Sequence, residues 1–419
     1  MAGKSDVKVK KLHFLFLSSD KFPPFRVDVK SLFCEEMAQR GHQIDWILQA
    51  GEPCERSYQT SWGGGTAWVG KNSASRSYWG AFLSQLYDFR NDCRLFRLAR
   101  NNKYDFIQVK DKFLAALLAM AACRLGEAKF IYWLSFPFPE SHLYRAKQGK
   151  GYSNFPLLDL FRGHLFRFLL YHIILPRADH VFVQSKQMKE DVAAKGISAA
   201  RLTAVPMGVA LSGIPSIAQD NASAEEGLKR VVYIGSLSKP RKIDFLISVF
   251  RLVIDEYQQA RLYLIGGESD ADVTRMKQYA REAGLQDVVE VTGFLPLAEA
   301  WRYVSMADVC VSPLAPNPTF APASPTKLVE YMAFGKPVVA NDHPEQREVL
   351  KASGGGLCVP YEKEVFADAV LELLRDSNKA ADMGMRGRHY IEKHRCYRVI
   401  ADMVESTYYD VLAEERLQK

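Results

Sequence analysis

Residues 324–340 read SPTKLVEYMAFGKPVVA, and the fold class follows from how that stretch is parsed. Ser324 suits a helix N-cap, Pro325 the first helical position and Gly335 the residue after the helix end, while Pro337 opens a short apolar run. The pattern predicts a helix of about three turns that leads into a buried strand. The N-terminus of such a helix carries unpaired backbone N–H groups and partial positive charge, so a phosphate is its natural ligand. Lys327 lies in the first turn, where a cation is disfavoured unless an anion sits beside it. Glu330 follows on roughly the same face and could accept from two neighbouring sugar hydroxyls. The plainer alternative is a capped helix with an exposed Lys327–Glu330 pair.

Apolar runs of four to eight residues recur on either side of this segment, separated by stretches of helical period. They are LHFLFLSS, IDWILQA, TAWVG, FIQV, KFIYWLS, HVFVQS and LTAVPMG in the first half, and VVYIGS, RLYLIGG, VVEVTG, VCVSPL, PVVAND and LCVP in the second. Nearly continuous apolar strands alternating with helices predict parallel sheets covered on both faces, hence an α/β chain of two doubly wound, Rossmann-like domains. The expected boundaries are 1–211 for the first domain, 212–230 for a linker rich in Ser, Ala, Asp and Gly, 231–394 for the second domain and 395–419 for a terminal helix that packs back on the first. Ligands bind beyond the carboxyl ends of parallel strands, so two facing sheets would enclose a cleft.

Composition narrows the function classes. The chain has 419 residues, 48% hydrophobic and 25% charged, which is globular and long enough for two or three domains. No uncharged apolar run reaches the length of a membrane span. Seven cysteines occur without a C-x-x-C pair, against a disulfide framework or a structural zinc site and in keeping with a reducing cytoplasm. The net charge of +7 is uneven: residues 1–210 hold 30 Lys+Arg against 18 Asp+Glu, and the remainder 25 against 30. A basic first half suits a phosphate-bearing substrate or an anionic bilayer surface. No strand is followed by G-x-G-x-x-G, which excludes a dinucleotide dehydrogenase of the usual kind, and no nucleic-acid-binding module is recognisable.

The segment 324–340, with VSMADVCVSPL before it and NDHPEQREVL and GGGLCVP after it, resembles the carboxyl-terminal half of family 4 of the retaining glycosyltransferases (GT4). VVYIGSLSKPRKIDFLISVF, RLYLIGG and VVEVTGFLPLAEAWRYVSMADV are similar to other parts of that half, and RGHQIDWIL and ADHVFVQSKQMKEDVAAKGISAARLTAVPMGV to parts of the first. The resemblance implies the GT-B fold of two facing Rossmann-like domains. It implies transfer of a sugar from a UDP- or GDP-type nucleotide-diphosphate sugar with retention of configuration, and the basic first half points to a lipid-linked or polysaccharide acceptor. A GT-B epimerase and a non-catalytic binding protein on a degenerate fold are the alternatives.

Carried over position by position, the resemblance gives Glu330 the nucleotide ribose, as the second Glu of the family's E-x7-E motif; the first falls on Pro322. The backbone around Ser324, Pro325, Thr326 and Leu328 is then expected to face sugar and phosphate. Gly235 begins the phosphate loop, which lacks the family's Arg because Ser236 follows, while Arg241 stands at its Lys position. Arg241 and Lys327 are expected to offset the leaving-group charge. Phe294 and Leu295, just after Gly293, are the candidate contacts to the base. On the acceptor side the candidates are Arg26, in a loop that replaces the family's Gly-Gly turn, with Asp111, Glu140 and His142. Asp270 and Asp272 resemble a metal-binding D-x-D but fit a helix start better, so no cofactor and no obligatory metal are expected.

Arg90, Arg94 and Arg97 recur at i, i+4 and i+7 among aromatic residues, and residues 155–176 are apolar over much of their circumference yet too polar to span a bilayer. Both point to peripheral attachment at an anionic membrane surface, on the inner face, with the second segment either packed in the core or partly in the leaflet.

Overall fold

The computed structural model describes residues 10–73, 78–148, 156–214 and 227–418. The chain folds into two units: the described residues up to Pro206 together with those from Ile400, and residues 207–399. Of the expected linker, 215–226 lies outside the described residues.

The first unit is built on one sheet of eight strands: β1 His13–Phe22, β2 Gln43–Ala50, β3 Tyr58–Trp62, β4 Gly65–Gly70, β5 Phe106–Lys110, β6 Lys129–Leu134, β7 His180–Val183 and β8 Leu202–Ala204. Their order is β3-β4-β2-β1-β5-β6-β7-β8. All pairs are parallel except β3 with β4. The antiparallel edge hairpin is a departure from the sequence reading. YQTSW has no apolar run because its side chains are mostly exposed, and Gly63 and Gly64, both at positive φ, make the turn.

Side-chain alternation sorts the two faces of this sheet. Leu15, Leu17, Ile47, Ile107, Val109, Tyr132 and Val181 join one apolar core. The opposite face is aromatic, with Phe16 stacked on Trp46 and Phe14 on Phe106. Tyr408, from the terminal helix Tyr397–Gln418, is fully buried there, edge-on to Phe14 at 4.8 Å and to Phe182 at 5.2 Å. Its hydroxyl donates to Gln108. On the same helix Glu405 accepts from Arg40 and from His42 Nε2; since His42 Nδ1 accepts from the Leu12 N–H, the ring is the Nε2–H tautomer.

The second unit holds six parallel strands: β9 Lys229–Ile234, β10 Ala260–Ile265, β11 Val289–Gly293, β12 Val309–Ser312, β13 Val338–Asn341 and β14 Gly356–Val359. The order β11-β10-β9-β12-β13-β14 places the first strand centrally and reverses between β9 and β12, the doubly wound order. Val231, Leu262, Leu264, Val309 and Val311 face one core, and Val232, Ile265, Cys310 and Val338 the other. Both faces are therefore covered, which is why these strands read as unbroken apolar runs. Lys229 and Arg230, expected in the linker, instead open β9, where Asp308 binds the Lys229 ammonium at 3.1 Å and the Arg230 N–H at 2.8 Å.

No helix among the described residues is long and apolar enough to cross a membrane. Residues 156–176 divide between core and surface. Leu170, Tyr171, Ile174 and Leu175 are buried in the core, whereas the helix Pro156–Phe168 keeps several apolar side chains exposed.

Candidate functional site

The carboxyl ends of β9, β10 and β11 are drawn together by backbone bonds from Gly235 N–H to the Ile265 carbonyl and from Gly266 N–H to the Gly293 carbonyl, each 2.9 Å. Gly266 has φ near 125°, and a Cβ there would lie 2.1 Å from the Gly235 carbonyl oxygen, so only glycine fits. The loop after β9 is pinned from the side by Arg275, which donates to the Leu237 carbonyl and, at 2.7 Å, to Asp272. Asp270 and Asp272 open the helix Asp270–Glu282, capped by the Ser269 hydroxyl, in line with the helix-start reading.

Across the switch point, the helix after β12 runs Thr326–Ala333. It is eight residues long, just over two turns rather than three. Pro325 is its cap and Thr326 its first residue, one position later than expected. Ser324 does not cap it, because its hydroxyl accepts from the Met207 N–H at 2.9 Å and donates to the Glu345 carboxylate. That carboxylate in turn meets Arg395 in a buried ion pair at 2.7 Å. With Pro325 lacking an N–H, the donors left open at this end are the amides of Thr326, Lys327 and Leu328. The far end closes as expected: Gly335, φ near 68°, donates to Met332, and Lys336 N–H returns to the Tyr331 carbonyl.

These two pieces meet. A Cβ on Gly235 would sit 3.5 Å from Lys327 Cε, so the Lys327 side chain lies over the glycine that begins the loop after β9. Lys327 Nζ is 3.7 Å from Glu330, which is only 18% exposed, and burial pushes the Glu330 carboxyl up while Lys327 pulls it down. Leu328 is fully buried and anchors the turn. Arg241 ends the short turn Lys239–Arg241, its guanidinium 4.9 Å over the Phe320 ring. Phe294 is 82% exposed and Leu295 is half-buried against the second core.

In the first unit, Asp111 follows β5 at positive φ and is held by the Ser135 N–H at 2.9 Å and the Ser135 hydroxyl. Burial lifts its carboxyl to about 6, against Lys110, Ser135 and Arg26. Arg26 is engaged with Asp28 at 3.2 Å and, more distantly, with Asp20. Lys110, almost wholly buried, bridges the same two carboxylates at 3.0 and 2.8 Å. Burial alone would raise Asp28, but Lys110 and Arg26 outweigh it and hold the carboxyl below its usual range. Glu140 and His142 sit on the helix Phe138–Lys147 with other partners: Glu140 pairs with Lys195 at 3.2 Å, and His142 lies against the Phe166 ring. The structure thus gathers Arg26 and Asp111 about Lys110 at the ends of β1 and β5, and places Glu140 and His142 in a helix packing layer. The sequence reading missed Lys110 as the centre of that network, and Arg275 altogether.

Residues 32–212 match the model of Glycosyltransferase Family 4, and residues 216–390 that of Glycosyl transferases group 1. The chain belongs to the GT4 glycosyltransferases of the GT-B fold. A phosphatidyl-myo-inositol mannosyltransferase of Mycobacterium leprae is 30% identical over 174 residues, 41% of this chain and 44% of that protein. The chain spans about half the length of the curated relatives it matches. Among solved structures, a sucrose-phosphate synthase of Thermosynechococcus elongatus superposes with a TM-score of 0.72 at 20% identity, covering 96% of this GT4 chain and all of that one. An Anabaena protein in complex with UDP and glucose gives 0.66 at 16% identity, over 94% and 98% of the two chains. At these identities the superpositions establish the fold.

Proposed function

We propose that the protein transfers a sugar from a nucleotide-diphosphate sugar to a lipid-linked or polysaccharide acceptor, with retention of anomeric configuration. The observation that carries the reading is the convergence of Lys327, Gly235 and the open amides of Thr326–Leu328 at the strand reversal between β9 and β12. A diphosphate there receives backbone donors from the helix end and charge from Lys327, with Arg241 on the loop opposite. Glu330 takes the ribose hydroxyls, and Phe294 and Leu295 border the base. UDP is the first donor to try, since the Anabaena structure holds UDP and glucose, and GDP the second.

In this mechanism the bond from the anomeric carbon to phosphate breaks with its electron pair leaving on the phosphate. The acceptor oxygen bonds to the same face, and its proton passes to the departing phosphate. The protein stabilises the separating charges and needs no strong base or metal. Asp111 is the side chain offered to an acceptor hydroxyl. Arg26, as the neighbouring cation, holds Asp20 and Asp28 in place. A lipid acceptor agrees with the name of the Mycobacterium leprae relative and with the basic first half, and such an enzyme would work on the cytoplasmic side of an anionic membrane.

The test is incubation of labelled UDP- and GDP-sugars with and without a polyprenyl-diphosphate or glycan acceptor, in excess chelator. Label moving to acceptor supports transfer. An epimerised donor would indicate an isomerase, and an untouched donor a binding protein.

A further inference from the structure

Two helices of the first unit turn apolar faces outward. On the helix Tyr78–Asp92, Trp79, Phe82, Leu83 and Leu86 fall at i, i+3, i+4 and i+7, the spacing that ordinarily meets a core, yet Trp79 is 76% and Phe82 57% exposed. On Pro156–Phe168, Leu157, Phe161 and Phe168 are likewise exposed. Both helices pack against the start of Phe113–Leu125: Lys112 binds Asp88 and Asp92 at 2.9 and 2.7 Å, and Phe113 stacks on Phe166 at 4.8 Å. The exposed residues therefore sit on two helices that share a packing neighbour.

The charge beside the first helix is uncompensated among the described residues. Arg56, Lys71, Arg90, Arg94 and Arg97 line two adjoining hollows of about 610 and 500 Å³ that share Ser57, Arg90 and Arg94. Among the described residues none of the five lies within ion-pairing distance of a carboxylate, and the nearby Asp88 and Asp92 are held by Lys112. Burial, and then Arg97 and Arg90, disfavour the charge on Arg94, a penalty that an anion would relieve. Arginines with no carboxylate partner among the described residues, on and just after the helix that carries the outward apolar row, match the headgroup phosphates and acyl boundary of a bilayer surface.

We propose that the hollow framed by Arg90, Arg94 and Arg97 holds the phosphate of an anionic phospholipid while Trp79, Phe82 and Leu86 enter the acyl boundary. This deepens the membrane-surface part of the function proposed above and is independent of the donor chemistry.

The experiment is co-sedimentation of the full chain with phosphatidylcholine vesicles and with equal mixtures of phosphatidylcholine and phosphatidylglycerol. The wild type is expected to bind the mixed vesicles only. The triple variant Arg90→Gln, Arg94→Gln, Arg97→Gln should bind them at least about ten-fold more weakly, and Trp79→Ser with Phe82→Ser should also weaken binding. A charge-matched control, Arg251→Gln, Arg261→Gln, Lys277→Gln, should bind as the wild type; equal loss in that control would overturn a local site in favour of overall charge. Displacement of the protein by inorganic phosphate at the same phosphate concentration would overturn the lipid source, as would equal binding to pure phosphatidylcholine. An unchanged UDP- or GDP-induced thermal shift in the triple variant reports that it is folded. A wild type that shows no such shift yet binds vesicles would count against the donor site alone.

Discussion

The Tyr331 hydroxyl accepts a hydrogen bond from the Ile234 N–H at 2.7 Å. Pairing of β9 with β12 ends at Val232, so the side chain of Tyr331 serves as the next ladder partner and ties the helix Thr326–Ala333 to the strand that leads into the Gly235 loop. Tyr331→Phe leaves a buried N–H unpaired, a cost of about 1–3 kcal/mol. Urea unfolding should show that loss, accompanied by weaker nucleotide-diphosphate binding; unchanged stability and binding together would deny the tie.

Lys327→Ala and Arg241→Ala remove the two cations assigned to the diphosphate. Calorimetry should show each weakening UDP or GDP by about ten-fold or more, roughly 1.4 kcal/mol, with little effect on the corresponding nucleoside. Equal losses for nucleoside and diphosphate would assign these cations a structural role.

Much of this architecture could be read from the sequence, and the exceptions have physical causes. VVYIGS and PVVAND announce buried parallel strands because both faces of the sheet are covered, whereas YQTSW, an exposed antiparallel edge, carries no such signal. Gly335 was legible because a helix end of this type demands positive φ. Ser324 was misread as a cap because its true partners, Met207 and Glu345, are distant in sequence. Arg275 escaped for the same reason, as did the network role of Lys110, which the sequence offers beside Asp111: these roles rest on Leu237, Asp20 and Asp28, contacts made only in the folded chain.

Asp111 supplies a pH test. Its carboxyl titrates at about 6, raised by burial above the ordinary 3.8, so its stabilising contribution is complete below the ordinary value and is lost as pH rises through about 6. Asp111→Asn should therefore be the more stable protein at pH 8, by about 1–3 kcal/mol, and show a flatter stability profile from pH 4 to 7. Transfer by the wild type should rise as pH climbs through about 6, a limb the variant lacks. Identical pH profiles would remove Asp111 from the acceptor side.

Tyr408→Ala empties an aromatic site bounded by Phe14, Phe106 and Phe182. The expected cost is about 3–5 kcal/mol in thermal or urea unfolding of the first unit. A loss below about 1 kcal/mol would mean that the terminal helix is not part of that core.

The account turns on where a nucleoside diphosphate docks, and a crystal structure of the protein soaked with UDP or GDP measures this directly. The diphosphate oxygens are expected within hydrogen-bond distance of the Thr326, Lys327 and Leu328 amides, beside Lys327, with the ribose hydroxyls on Glu330. A nucleotide bound elsewhere, with those amides facing only solvent, would contradict the assignment.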